Sequence, residues 1–172
     1  RREELGFVFQ NSNLLDTLTC RENIALPLTI GRVPAGEISA RIMAMASTLG
    51  IEGILNKFPY QVSGGQRQRV AAARAMIGQP KLVLADEPTG ALDSKNAKLL
   101  LECFEMLNKQ LDATILMVTH DSFAASYCKR VVFIRDGRVF TEVVRGDATR
   151  KQFFDDIMRV VAVIGGDETD DR

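Results

Sequence analysis

Between Gln61 and Pro88 the chain reads Gln61-Val62-Ser63-Gly64-Gly65-Gln66-Arg67-Gln68-Arg69, then a short helical stretch, then Leu82-Val83-Leu84-Ala85-Asp86-Glu87-Pro88. A helix opened by two glycines and followed by an apolar strand that ends in two acids leaves few folds open. A glycine pair at a helix start can hold a phosphate, and acids at a strand end can hold and use a metal ion. Together they suggest nucleotide chemistry. No G-x-x-x-x-G-K-[S/T] loop, the usual cradle for ATP phosphates, occurs in the 172 residues.

The rest of the chain supports an α/β class. Leu5-Gly6-Phe7-Val8-Phe9 reads as a buried strand, ending at Gln10. A mixed segment over 11–28 carries a short helix starting near Thr19 or Arg21, with Pro27 expected to end it. Ile38, Ile42, Met45, Ala46 and Leu49 recur at helical spacing and Gly50 closes that helix; a shorter helical piece over 51–58 stops at Pro59. A helix over 66–77 precedes the strand 81–85, Leu99, Leu100, Cys103, Phe104 and Leu107 stripe another helix, and 114–118 is a further apolar strand before Thr119-His120. Strand, helix, strand in this order implies a parallel sheet with crossovers. Val131 to Phe140 around Asp136-Gly137 is a hairpin signature. Phe153, Phe154, Ile157, Met158 and Val161 mark a last amphipathic helix, and 165–172 reads as a mobile acidic tail.

Twenty-two basic and twenty-two acidic residues give no global field that argues for nucleic acid or an anionic membrane. Cys20, Cys103 and Cys128 lack metal or disulfide spacing and fit small buried hydrophobes in a reducing compartment. No apolar run approaches the ~20 residues that span a bilayer. The opening Arg1-Arg2-Glu3-Glu4 leads straight into a strand, which reads as a chain cut upstream.

Asp86 and Glu87 stand at the carboxyl end of a strand, where open α/β sheets place ligands. One carboxylate there can hold Mg²⁺ and the other can orient or deprotonate a water attacking a γ-phosphate; a solvated acidic loop is the plainer alternative. Ser63-Gly64-Gly65 offers amide groups and a helix dipole to an anion, or is an ordinary capped helix start. Arg67 and Arg69 read as a solvated helix face somewhat better than as phosphate ligands. His120, the sole histidine, follows a strand and so stands at the same sheet edge as the two acids. It could bond a phosphate or the attacking water, or be structural. Gln10 ends its strand in the same way, and its amide oxygen could reach a metal or water. Asp93 is a helix cap or a contact to a second subunit.

In this order the motifs resemble the nucleotide-binding domain of ATP-binding cassette (ABC) transporters, over nearly the whole chain. The resemblance implies a P-loop NTPase-like α/β fold of the ABC ATPase type with a helical insert, lacking the first strands and the P-loop. It divides the chain into a partial catalytic core, 1–10 and 66–148; a helical subdomain with the signature motif, 11–65; and a C-terminal helix and tail, 149–172. It makes Gln10 the Q-loop glutamine, Val62 to Gln66 the signature with valine in place of leucine, Leu82–Asp86 the Walker B strand, Glu87 the general base, Ala91-Leu92-Asp93 the D-loop and His120 the switch histidine. Gln10, Asp86, Glu87 and His120 would serve the chain's own Mg²⁺-ATP, and Ser63, Gly64, Gly65 and Gln66, with Asp93, a nucleotide shared with a second subunit.

Glu87 to Ser94, Asn13-Leu14-Leu15 and Glu22-Asn23-Ile24 look like the macrolide-exporter and lipoprotein-release branch. Thr119-His120-Asp121, the segment 124–128 and the tail 150–166 are similar to bacitracin-type antimicrobial-peptide exporters. A homodimer, a membrane permease met through Gln10 and 11–28, a location on the cytoplasmic face of the plasma membrane and no nucleic-acid partner follow. Without P-loop lysine and hydroxyl this chain alone is expected to bind ATP weakly and not to hydrolyse it, and absent strands should expose an apolar edge. A DNA-repair-type ABC ATPase would carry a coiled-coil or zinc-bearing insert between Gln10 and Ser63, and neither pattern is there. A non-catalytic binding module fits the retained Glu87 less well.

Overall fold

The computed structural model describes residues 5–166 and divides into two compact units, one ending at Val118 and the other beginning at Thr119. That boundary falls inside the 66–148 segment assigned above to the catalytic core. Arg1 to Glu4 and the acidic residues 167–172 lie outside the described residues.

The first unit is built on three parallel strands in the order β1 (Leu5–Phe9), β2 (Leu82–Asp86), β3 (Thr114–Val118). Short runs of branched and aromatic residues form these strands, and helical crossovers are long enough to make them parallel. β1 lies against α3 (Gly64–Met76), and Gly6 permits it: a Cβ there would sit 2.3 Å from the Ala75 carbonyl oxygen. One sheet face, carrying Val8, Val83 and Ala85, is buried. The other leaves Leu5, Phe7, Phe9, Leu116 and Val118 exposed, so β1 and β3 alternate where a strand buried on both faces was expected.

Between β1 and α3 come α1 (Cys20–Ile30), α2 (Ala35–Leu49) and two single 3₁₀ turns, Glu52–Ile54 and Pro59–Gln61. Thr19 caps α1 in a capping box with Glu22. Pro27 does not end α1: it sits inside the helix, which runs on to Ile30. An interior proline costs about 3 kcal/mol, and burial of Ile24 and Leu28 on either side of it, where α1 packs on α2 and α3, offsets that cost. α2 follows its expected stripe and ends on Gly50 in the left-handed conformation. The helical piece over 51–58 is one 3₁₀ turn only, and Pro59 starts a second one. α4 (Ser94–Leu111) buries Leu100, Cys103, Phe104 and Leu107, whereas Leu99, expected in the stripe, is exposed; Ala97 and Leu101 take the inward positions instead.

The second unit holds the one-turn helix α5 (Ser122–Ala125), an antiparallel hairpin of β4 (Arg130–Arg135) and β5 (Arg138–Val144), and α6 (Arg150–Gly166). Asp136 and Gly137 both have positive φ, as a two-residue turn between twisted strands requires. Phe153 and Ile157 anchor α6, while Met158 and Val161 are exposed. α6 includes Gly165 and Gly166, which the sequence had placed in the tail. Cys20 and Cys103 are buried and Cys128 half-buried, all as free thiols, and burial raises the pKa of each.

Candidate functional site

Because β1, β2 and β3 run parallel and in register, their carboxyl ends coincide, with Phe9 opposite Asp86 and Asp86 opposite Val118. The chain leaves these ends through Gln10 and Glu87. Asp86 is exposed and Glu87 half-buried. The Glu87 N–H donates to the Val118 carbonyl at 2.9 Å, and the Glu87 carbonyl accepts from the Gly90 N–H at 3.0 Å. Between these bonds Glu87 adopts a φ of 42°, a left-handed backbone that disfavours a side chain by about 1–2 kcal/mol. Gly90 clears room for Gln10: a Cβ on Gly90 would lie 2.8 Å from the Gln10 Nε2. The amide of Gln10 and the turn that follows Glu87 are therefore in contact.

The glycine pair forms the first turn of α3 itself, with Ser63 as the cap. The Ser63 hydroxyl oxygen accepts from the Gln66 N–H at 3.2 Å, and the Ser63 N–H donates to the Gln66 Oε1 at 2.9 Å. This box leaves the hydroxyl hydrogen of Ser63 and the side-chain NH₂ of Gln66 for other partners. The amides of Gly64 and Gly65, as first-turn donors, have no acceptor within the helix. The two glycines differ. A Cβ on Gly64 would meet only Arg67 and Leu92 atoms at 3.9 Å, whereas one on Gly65 would lie 2.2 Å from Asn96 Oδ1 and 2.8 Å from Asn96 Cβ. Gly65 is thus required by the close approach of the α4 start.

Asp93 caps α4, accepting from the Asn96 N–H at 2.9 Å and from Asn96 Nδ2 at 2.8 Å. Those bonds hold its carboxyl below its ordinary pKa, the Asn96 backbone contact first. Asn96 therefore touches both Asp93 and Gly65. Arg67 is half-buried and donates to the Val62 carbonyl at 3.1 Å; Arg69 is half-buried too, so neither is a freely solvated face. His120 lies two residues past Val118 and belongs to the second unit.

Three side chains that organise this region receive no role of their own from the sequence. Gln68, on α3, is 2% exposed, and its Nε2 donates to the carbonyls of Phe9, Gln10 and Pro88 at 2.8–2.9 Å. Arg74, further along α3, donates to the carbonyls of Asn13 and Ser12, two residues with positive φ. Burial lowers its pKa. Asn23 is fully buried, donates to the carbonyls of Leu15, Leu18 and Thr19 and accepts from the Leu15 N–H, fixing the loop before α1. The one available signal was polar residues at helix positions that face inward.

Among the described residues no group of three or more His, Cys, Asp and Glu side chains could hold a metal. Mg²⁺ needs less, since it keeps several waters and takes one or two carboxylates plus substrate phosphates. The exposed Asp86 carboxylate, a hard oxygen donor at a strand end, fits such an ion.

Comparison with known proteins decides the lineage. The profile of the ABC transporter family matches residues 1–90. The chain belongs to the ABC transporter family. It is 52% identical over 170 residues to the bacitracin export ATP-binding protein BceA of Halalkalibacterium halodurans, covering 99% of this chain and 67% of that one. It is 56% identical over 167 residues to the ABC transporter ATP-binding protein YvcR of Bacillus subtilis, covering 97% of this chain and 64% of the relative. The chain thus spans about two thirds of the length of these relatives. Among solved structures, the ATP-binding cassette MJ0796 in its dimeric, post-hydrolysis state bound to ADP and Pi superposes with a TM-score of 0.73 at 39% identity, over 84% of this chain and 64% of that one. The α/β fold with a parallel sheet is therefore that of an ABC cassette. Among the described residues no helix is long and apolar enough to cross a membrane.

Proposed function

We propose that this chain belongs to the ATP-binding and ATP-hydrolysing subunit of an ABC transporter and, lacking the G-x-x-x-x-G-K-[S/T] segment, is inactive alone. The complete subunit works as a head-to-tail dimer against a membrane permease on the cytoplasmic face of the plasma membrane, in antimicrobial-peptide export or resistance. The observation that carries the reading is the shared carboxyl edge of β1 and β2, where Gln10 contacts the turn after Glu87 and Asp86 is open to solvent. The kinship with BceA supports the export role.

Bound Mg²⁺-ATP would supply the γ-phosphoryl group, and the metal would neutralise negative charge on the phosphates. Asp86 would hold the metal, with Gln10 as a second oxygen donor. Glu87 takes the proton of the attacking water, and the strand end fixes its backbone for that purpose. The Ser63 hydroxyl, the Gly64 and Gly65 amides and the Gln66 NH₂ donate to the γ-phosphate held by the second subunit, where the α3 dipole favours negative charge. Asp93, tied to Asn96, meets the second subunit, and His120 takes the switch role by resemblance alone.

Calorimetry of Mg-ATP binding tests this, run on the 172-residue chain and on a form carrying a G-x-x-x-x-G-K-[S/T] segment upstream. Binding and turnover by the longer form alone support the assignment. Tight binding by the short chain would require a phosphate site elsewhere and overturn it.

A further inference from the structure

α3 is the helix whose first turn carries Ser63 to Gln66, and it is also the element that grips both catalytic segments. Gln68 has two amide hydrogens and three carbonyl acceptors, on Phe9, Gln10 and Pro88, so at least one hydrogen is shared. Turning the amide over would set its oxygen against three carbonyl oxygens, so the partners fix its orientation. Its Oε1 is buried with no hydrogen-bond partner among the described residues. Leaving a buried acceptor unpaired is unfavourable, and an unbranched apolar side chain of similar length would fill the space without it. Packing alone therefore does not account for an amide here; the three bonds do.

Those bonds join segments far apart in sequence. Phe9 ends β1 and Gln10 follows it, and Pro88 directly follows Glu87. We propose that Gln68 is a positioning residue for hydrolysis: its buried amide clamps the backbone at Gln10 to the backbone after Glu87, and ties both to the helix that begins at Ser63. The role rests on the assignment of Gln10 and Glu87 above. Through the clamp, the helix that begins at Ser63 is bonded to both segments. Arg74, one helix face further on, holds only the 12–13 segment and serves as an internal control.

Hydrogen exchange on the 172-residue chain tests the clamp without nucleotide. The Ser12 amide, bonded to the Phe9 carbonyl, and the Gly90 amide, bonded to that of Glu87, report the two segments. In Gln68→Met, exchange over 9–13 and 87–92 should rise together by about tenfold while the cores of α2 and α4 keep their protection. Arg74→Met should loosen 9–13 alone. Unchanged exchange in either segment of Gln68→Met, or a uniform rise everywhere, overturns the clamp.

The positioning role is tested in the complete protein. Gln68→Met should lower kcat about 10- to 100-fold with KM for ATP within about twofold. Gln68→Glu adds a pH readout: a protonated carboxyl can still donate one bond, whereas the carboxylate repels three carbonyls. Burial raises the pKa of such a group, so its kcat relative to the native protein should be best retained at low pH and fall as pH rises. A native kcat in Gln68→Met, or a Gln68→Glu pH profile parallel to the native one, refutes positioning. Absence of ATPase activity in the complete native protein would instead sink the functional assignment, leaving the exchange result to decide the clamp.

Discussion

Replacing Gly65 by alanine separates packing from ligand binding at the glycine pair, because the same substitution at Gly64 meets a different environment. On Gly65 the new methyl would lie 2.2 Å from Asn96 Oδ1, 2.5 Å from Cγ and 2.8 Å from Cβ. Rotating the end of the asparagine relieves the first two contacts but not the third, so the start of α4 must move. Overpacking of this kind costs about 1–3 kcal/mol. It also severs the Asn96 Nδ2 bond to Asp93. Against this, Gly→Ala at a helical residue returns about 0.4–1 kcal/mol through the unfolded chain.

The expected net is a loss of about 1–2 kcal/mol for Gly65→Ala. For Gly64→Ala, whose methyl makes only 3.9 Å contacts, a gain of up to about 1 kcal/mol is expected. Urea unfolding monitored on the first unit should resolve this, with unchanged slopes; thermal melts should shift by about 2–4 °C per kcal/mol. Asn96→Gly should abolish most of the Gly65→Ala penalty. Equal stabilities for the two alanine variants, or a penalty that persists without the Asn96 side chain, would refute the reasoning. Gly64→Ala, although not destabilising, should still weaken nucleotide-driven dimerisation of the complete protein.

Glu87→Gln in the complete protein should leave ATP bound between two subunits and stop turnover; size exclusion with ATP and a phosphate-release assay check it, and continued hydrolysis would remove Glu87 as base. Asn23→Ala should destabilise the first unit by about 2–4 kcal/mol, since four bonds to the 15–19 loop are lost at a buried site, readable by urea unfolding. Asp93 has a folded pKa below its unfolded value of about 3.9, so its contribution is fully present above that pH and is lost as pH falls through the folded value. Asp93→Ser, which keeps a cap without a charge, should flatten that acid limb of the stability profile.

The strands, most helices and the hairpin were legible because their signals are local: alternating or continuous apolar runs, Gly50, Asp136-Gly137. Strand ends also announced Gln10, Asp86 and Glu87, since a parallel ladder brings successive carboxyl ends together. Where the sequence misled, tertiary burial had outweighed local preference. Pro27 stays in a helix because Ile24 and Leu28 are both buried, and Leu99 faces out because α4 turns Ala97 and Leu101 inward. Gln68, Arg74 and Asn23 were illegible for a different reason. Each bonds backbone carbonyls, which every residue possesses, so the partner leaves no trace in side-chain pattern. The distinct duties of Gly64 and Gly65 were likewise hidden, as they depend on where Asn96 comes to rest.

The register that aligns the carboxyl ends of the strands also sets a schedule for synthesis. Leu5 pairs with Leu82, so at a translation rate of 5–20 residues per second β1 waits about 4–15 s for its neighbour to be made. During that interval Leu5, Phe7 and Phe9 form a run of β-favouring apolar residues whose partner among the described residues, β2, has yet to be made. The helices α1 and α2 leave the ribosome first, yet the helix that shields β1, α3, follows only shortly before β2. Nascent chains should therefore gain protection late and abruptly, once β2 has cleared the exit tunnel.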